Sequence, residues 1–134
     1  MSTPFITVQN LTLGWGDLRL LEDVSFTVQH GDIFAILGSS GCGKSTMLRC
    51  LTGLDMPLSG TIDIDGVGTP VLEVGRPTYG VMFQSGALFG SMTVGENMAF
   101  SLSEWTGLPR DAISAIVSAK LPLVHLKDTE HLKP

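Results

Sequence analysis

Ile33-Phe34-Ala35-Ile36-Leu37-Gly38-Ser39-Ser40-Gly41-Cys42-Gly43-Lys44-Ser45-Thr46 decides how the rest of the chain is read. Its first five residues form an unbroken apolar run, the pattern of a strand buried on both faces of a parallel sheet. From Gly38 to Ser45 the sequence fits G-x-x-x-x-G-K-[ST] at each fixed position. Beyond it, Met47, Leu48 and Leu51 recur at helical spacing, which predicts a helix over 45–51. Strand, glycine-rich loop and helix therefore follow one another in the order that a phosphate-binding loop requires.

Each residue type in the loop has a physical reason. Glycines let the backbone wrap with its N–H groups turned inward, through conformations that side chains disfavour. The helix N-terminus adds unpaired donors and partial positive charge. Lys44 is placed to reach the β- and γ-phosphates of a nucleotide, and the Ser45 hydroxyl to coordinate Mg²⁺. The competing reading, a glycine-rich turn that matches by coincidence, does not account for the strand before it and the helix after it.

Working outward, Ile6, Val8, Leu11 and Leu13 nearly alternate with polar residues, and Val24, Phe26 and Val28 alternate strictly. Both stretches read as half-exposed strands joined by a loop through Gly14-Trp15-Gly16-Asp17. Residues 61–64, 71–74 and 79–83 read as further strands. After Gln84 the character changes, and 94–102 and 109–121 read as helices. The second has Pro109 at a favourable first position and a stripe of Ile113, Ile116, Val117 and Leu121.

The whole chain of 134 residues has room for one domain of ordinary size. Its charged content of 16% lies below the usual ~25%, and with 43% hydrophobic residues this excludes a disordered chain. Thirteen acidic against eight basic residues leave a net charge of −5, which argues against a nucleic-acid partner. The longest apolar run is five residues, far short of the ~20 that span a bilayer. Met1-Ser2-Thr3-Pro4 has neither a basic flank nor an apolar signal core. Cys42 and Cys50 would lie about 12 Å apart on one helix, beyond disulfide reach, so both are expected as free thiols of a reducing compartment.

From the loop onward the sequence resembles the ATP-binding subunit of ABC transporters, over nearly its whole length. Gly41-Cys42-Gly43-Lys44-Ser45-Thr46 is similar to that family's Walker A. Thr46 is then expected near the α-phosphate, and Ser39 stands where many members carry proline. Gly53-Leu54 and Pro57-Leu58-Ser59-Gly60-Thr61-Ile62 resemble the turn into its small antiparallel subdomain. Tyr79-Gly80-Val81-Met82-Phe83-Gln84 resembles the strand into the Q-loop, with Gln84 forty residues after Lys44. Leu13-Gly14-Trp15-Gly16-Asp17 resembles the A-loop, whose aromatic stacks on adenine; a loop tryptophan that packs locally is the competing reading for Trp15.

The resemblance implies an α/β fold: a P-loop NTPase core of ABC type with an antiparallel β-subdomain over 1–90, and the start of a helical subdomain over 91–134. It implies ATP and Mg²⁺ as ligands. Trp15, Gly38, Ser39, Gly41, Cys42, Gly43, Lys44, Ser45 and Thr46 would bind the nucleotide, and Ser45 and Gln84 the metal. Lys44 and Gln84 would serve catalysis. The partners implied are a transmembrane permease and a second ATPase subunit in a homodimer, on the cytoplasmic face of the membrane. Phe83-Gln84-Ser85-Gly86-Ala87-Leu88-Phe89 and Met92-Thr93-Val94-Gly95-Glu96-Asn97 look most like the Mla/Mce-type branch, which implies phospholipid or a related lipid as cargo. A non-transport ABC ATPase and a nucleotide-binding module without turnover stay open as alternatives.

The family's signature sequence, its apolar strand ending in Asp-Glu and its switch histidine do not occur in these residues. The chain is accordingly read as an N-terminal portion cut before the signature, and is expected not to turn over ATP alone. His30, His125 and His131 have no metal-ligand spacing and read as surface or boundary residues. Asp63 and Asp65 read as turn residues at a strand end, and Cys42 as a reactive thiol rather than a nucleophile.

Overall fold

The computed structural model describes residues 3–72 and 79–134. The chain forms two compact units, Met1–Pro77 and Thr78–Pro134.

In the first unit, β1 (Ile6–Trp15) is the central strand of a three-stranded antiparallel sheet, flanked by β2 (Leu18–Val28) and β3 (Ser59–Ile64). The imperfect alternation of Ile6, Val8, Leu11 and Leu13 has a structural cause. Val8 faces Phe26 and Leu11 faces Val24, so β1 carries one residue more than β2 across that interval. Asn10 takes up the extra residue in a left-handed conformation (φ 48°), donating its N–H to Ser25 Oγ and its amide to Asp23 Oδ1. A bulge of this kind returns Leu11 to the face that Val8 occupies. Gly60 crosses over the bulge so closely that a Cβ would stand 2.4 Å from the Asn10 carbonyl oxygen.

The face so assembled buries Val8, Leu11, Leu13, Ile62 and Ile64 against Met47 and Cys50 of α1 (Lys44–Leu51). The helix turns Thr46, Met47 and Cys50 inward; Leu48 is exposed and Leu51 only packs at the margin. The stripe expected on Met47, Leu48 and Leu51 is therefore rotated toward Cys50, one turn from Met47 and on the side facing β1. From the last turn of α1, Arg49 grips Asp55 through Nε and Nη2 at 2.6 and 3.1 Å, closing the turn that leads to β3.

Two expected strands of the core are not formed. Residues 33–37 form no strand and lie outside the sheet, with Ile33 and Leu37 101% and 88% exposed. A strand needs a neighbour to share its hydrogen-bond ladder, and no described strand pairs with this segment. Residues 79–83 likewise join no sheet, for the same reason. Of the strand expected over 71–74, Val71 and Leu72 are unpaired in any strand, and 73–74 lie outside the described residues.

The second unit is helical. α2 (Val94–Trp105) opens with a capping box, in which Thr93 Oγ1 accepts from the Glu96 N–H and Glu96 Oε2 from the Thr93 N–H. α3 (Arg110–Lys120) continues into a 3₁₀ turn, Leu121–Val124, and buries Ile113, Val117 and Leu121 against Val94, Met98, Ala99 and Leu102 of α2. Pro109 is the residue before the first helical turn rather than its first member. Its own extended backbone (φ −69°, ψ 155°) lets its carbonyl accept the Ile113 N–H.

Candidate phosphate-binding site

The loop between residue 37 and α1 is shaped by two left-handed glycines, Gly41 (φ 82°) and Gly43 (φ 99°). Gly43 is the residue preceding α1 and accepts the first helical bond, from the Met47 N–H at 2.8 Å. The N–H groups of Lys44, Ser45 and Thr46 therefore precede the ladder and have no carbonyl within the helix to reach. No side chain caps this end. Gly43 packs on β2, where a Cβ would stand 3.2 Å from Leu21 Cδ1 and 3.6 Å from Leu20 Cβ. The hairpin thus sets the height of the loop above the sheet.

Lys44 folds back over this turn. Its Nζ donates to the carbonyl oxygens of Gly38 at 2.9 Å and Ser39 at 2.6 Å, and lies 3.7 Å from Cys42 Sγ. Cys42 Sγ in turn sits against Gly38, so closely that a Cβ there would be 2.5 Å away. Gly38, Ser39, Cys42 and Lys44 are in this way drawn into one ring of contacts. Ser45 is exposed and Thr46 is buried beneath the helix. Donors at a helix N-terminus, an ammonium held within the same loop and an exposed Ser45 suit an anionic oxygen ligand such as a phosphate group.

The remaining residues singled out in the sequence are placed differently. Trp15 ends β1 opposite Leu18, at a turn of only Gly16 (φ 54°) and Asp17, with its side chain 56% exposed. Trp15 is thus a partly exposed residue on the hairpin that carries Leu21 to the loop. Gln84 belongs to the second unit, where it is exposed in a bend. Cys42 and Cys50 are both free thiols. Burial raises the Cys50 thiol above its ordinary range, which keeps it protonated. His30 bonds Asp65 Oδ2 at 2.8 Å and packs on the Phe5 ring, tying strand ends together. Among the described residues no cluster of three His, Cys, Asp or Glu could hold a metal ion.

Sequence reading missed the groove of about 260 Å³ beside the loop, lined by Leu21, Phe26, Phe34, Ile36 and Met47 and reaching Lys44. It also missed the grip of Lys44 on its own loop. The contact pattern of a lysine with the carbonyls five and six residues before it has no signature in composition or spacing.

Comparison with known proteins gives a consistent result. The family model described as ABC transporter matches residues 21–133. The chain is 42% identical over 132 residues to the putrescine transport ATP-binding protein PotG of Escherichia coli (strain K12), covering 98% of this chain and 35% of the relative. It is 43% identical over 136 residues to the probable ribonucleotide transport ATP-binding protein mkl of Mycobacterium bovis, covering 96% and 37%. The chain thus spans about a third of the length of these relatives. A solved dimeric ATP-binding cassette in a post-hydrolysis state, bound to ADP and Pi, superposes with a TM-score of 0.82 at 25% identity. That superposition covers 96% of this chain and 61% of the other. No described helix is long and apolar enough to cross a membrane.

Proposed function

This chain belongs to the ABC transporter family, and on that premise we propose that it is the nucleotide-holding part of an ATP-binding subunit that couples ATP hydrolysis to membrane transport. The observation that carries this reading is the loop from Gly38 to Thr46, with its free first-turn N–H groups and the Lys44 ammonium held on the loop's own carbonyls. In the proposed complex the backbone around Gly41, Cys42 and Gly43 cradles the β-phosphate, while Lys44 turns from its own carbonyls to the β- and γ-phosphate oxygens. The Thr46 N–H, open at the first turn of α1 while its side chain is turned into the core, would face the α-phosphate, and adenine would stack on Trp15. Ser45 contributes one hydroxyl to Mg²⁺.

Gln84 is the proposed link between the metal and attacking water and the helical unit. A transmembrane permease and a second copy of the ATPase subunit are the proposed partners, and the cytoplasmic face of the membrane the proposed location. For the cargo, the run Phe83–Phe89 with 92–97 supports phospholipid or a related lipid. A polyamine is the second reading, supported by the likeness to PotG, whose name assigns it to putrescine transport. Reconstitution of the full-length protein with its permease tests both levels. Mg·ATP should be hydrolysed, and the cargo that raises the rate, phospholipid or putrescine, decides between the two. Absence of any Mg·ATP binding by calorimetry overturns the reading as a whole.

A further inference from the structure

Asn97 holds more hydrogen bonds than its place in the first turns of α2 requires. Its Oδ1 accepts the Phe89 N–H at 2.8 Å. Its Nδ2 lies 3.1 Å from the Phe89 carbonyl oxygen, 2.9 Å from that of Thr93 and 3.4 Å from that of Met92. An amide nitrogen has two hydrogens, so Phe89 and Thr93 take the short bonds and Met92 a shared, weaker one. The Met92 N–H closes the same stretch on the Phe89 carbonyl at 3.0 Å.

Phe89 is gripped a second time through its ring. It meets Phe100, one turn beyond Asn97 on α2, with centroids 5.2 Å apart at 60°. This edge-to-face arrangement is the favourable one for two aromatic rings. Backbone and side chain of Phe89 are therefore both fixed to the same helix. Upstream, between Gln84 and this clamp, stands Gly86 in a left-handed conformation (φ 73°) with open space where a Cβ would be. The segment thus has a change of direction at Gly86 and a rigid attachment from Phe89 onward.

We propose that Asn97 is a positioning residue for coupling: it makes residues 89–93 part of the body of α2, so that a displacement of α2 carries Phe89 with it and is passed along the chain through Gly86 to Gln84. The proposal rests on the functional reading above and adds to it the residue through which motion is passed. Nothing about Asn97 touches nucleotide in this scheme; it acts by holding Phe89 in place. Binding of ATP should accordingly be indifferent to it, and the permease-driven step should not.

The test compares wild type, Asn97→Ala and Asn97→Asp in the full-length assembly with its permease. Alanine removes every bond; aspartate keeps an acceptor for the Phe89 N–H and loses the donors to the carbonyls. Asn97→Ala should lower the permease-stimulated kcat by about tenfold to a hundredfold, the scale of a misplacement on the order of 1 Å, with KM for ATP unchanged. Asn97→Asp should fall between alanine and wild type. Amide hydrogen exchange at Phe89 should accelerate in the alanine variant and stay slow in the aspartate one. An unchanged kcat despite accelerated exchange overturns the proposal, and so does a joint collapse of KM, kcat and melting temperature in both variants. Should the alanine variant fail to fold, the kcat-against-KM split of the aspartate variant decides by itself. Wild type without permease-stimulated hydrolysis removes the functional reading before any variant is compared, and this proposal with it.

Discussion

The ammonium nitrogen of Lys44 lies 2.6 Å from the carbonyl oxygen of Ser39, within the same loop. A cation that reaches back to its own backbone is held within the loop rather than spread in solvent. It must give up those bonds to take new ones from a ligand, so part of any gain in binding is offset.

The first prediction follows from that exchange. A hydrogen bond to a charged group contributes about 1.5–3 kcal/mol. Because Lys44 trades carbonyl partners for phosphate ones, Lys44→Ala should sit at the lower end, weakening Mg·ATP binding roughly tenfold. Folding stability should barely change, since the Gly38 and Ser39 carbonyl oxygens it leaves are exposed to water. Calorimetry and urea unfolding on one preparation separate the two effects. Equal ATP affinity in both proteins would remove Lys44 from the site.

The two left-handed glycines of the loop should differ in their tolerance of a methyl group. Gly41 has open space where a Cβ would go, so Gly41→Ala should cost only the left-handed strain of about 1–2 kcal/mol. Gly43→Ala adds to that strain a close approach of 3.2 Å to Leu21 Cδ1. It should destabilise the first unit more and lift the loop off β2. Urea midpoints should fall in the order wild type, Gly41→Ala, Gly43→Ala, and a reversed order contradicts the packing described.

How much of this was legible in the sequence depended on whether the cause was local. The loop, α1, the β1–β2 hairpin and both long helices were readable, because glycine placement, period and capping residues are written along the chain. The position of Asn10 in a bulge was hinted at by the broken alternation between Val8 and Leu11, and only the strand register explains it. The apolar run 33–37 reads as a buried strand, yet it is exposed, since burial depends on neighbours that no local pattern supplies. Trp15 and the loop were both readable as candidates, and their roles rest on the family likeness. The Asn97 clamp on Phe89 spans eight residues and leaves no pattern in spacing or composition.

Acid should reveal the pair that closes the turn after α1. The guanidinium of Arg49, hydrogen-bonded to Asp55, holds that carboxyl below its ordinary range. A carboxyl lowered in the folded state contributes stability above the unfolded pKa, near ~3.9, and loses it as pH falls through the folded value. Arg49 stays charged throughout and adds no titration of its own in this window. Asp55→Asn should therefore be less stable than wild type at neutral pH, with the gap closing below about pH 4. The gap should also shrink in high salt, as expected of a solvent-accessible ion pair. A gap that is constant from pH 7 to 2 would assign the effect to the turn and not to the ion pair.

The last prediction concerns self-association of the 134-residue chain. Ile33 is 101% and Leu37 88% exposed, on a segment that pairs with no described strand. Phe34 stacks on Phe26 at 5.0 Å and 13°, which holds the segment against β2 instead of letting it swing free. An apolar segment fixed in place with no ladder partner of its own is open to strand pairing with another chain. The mean hydropathy of +0.31 and the 16% charged residues leave few nearby charges to discourage it. Sedimentation velocity should show the wild-type chain moving to larger species as concentration rises. Ile33→Lys with Leu37→Lys places charge on that segment, the device natural sheets use to block pairing, and should return the chain toward monomer. Neither position lies among Gly41, Gly43, Lys44, Ser45 and Thr46, so any retained ATP affinity reports on a loop left undisturbed. A wild-type chain that stays monomeric at all concentrations would show that residues 33–37 are shielded in solution and that their exposure has been misread.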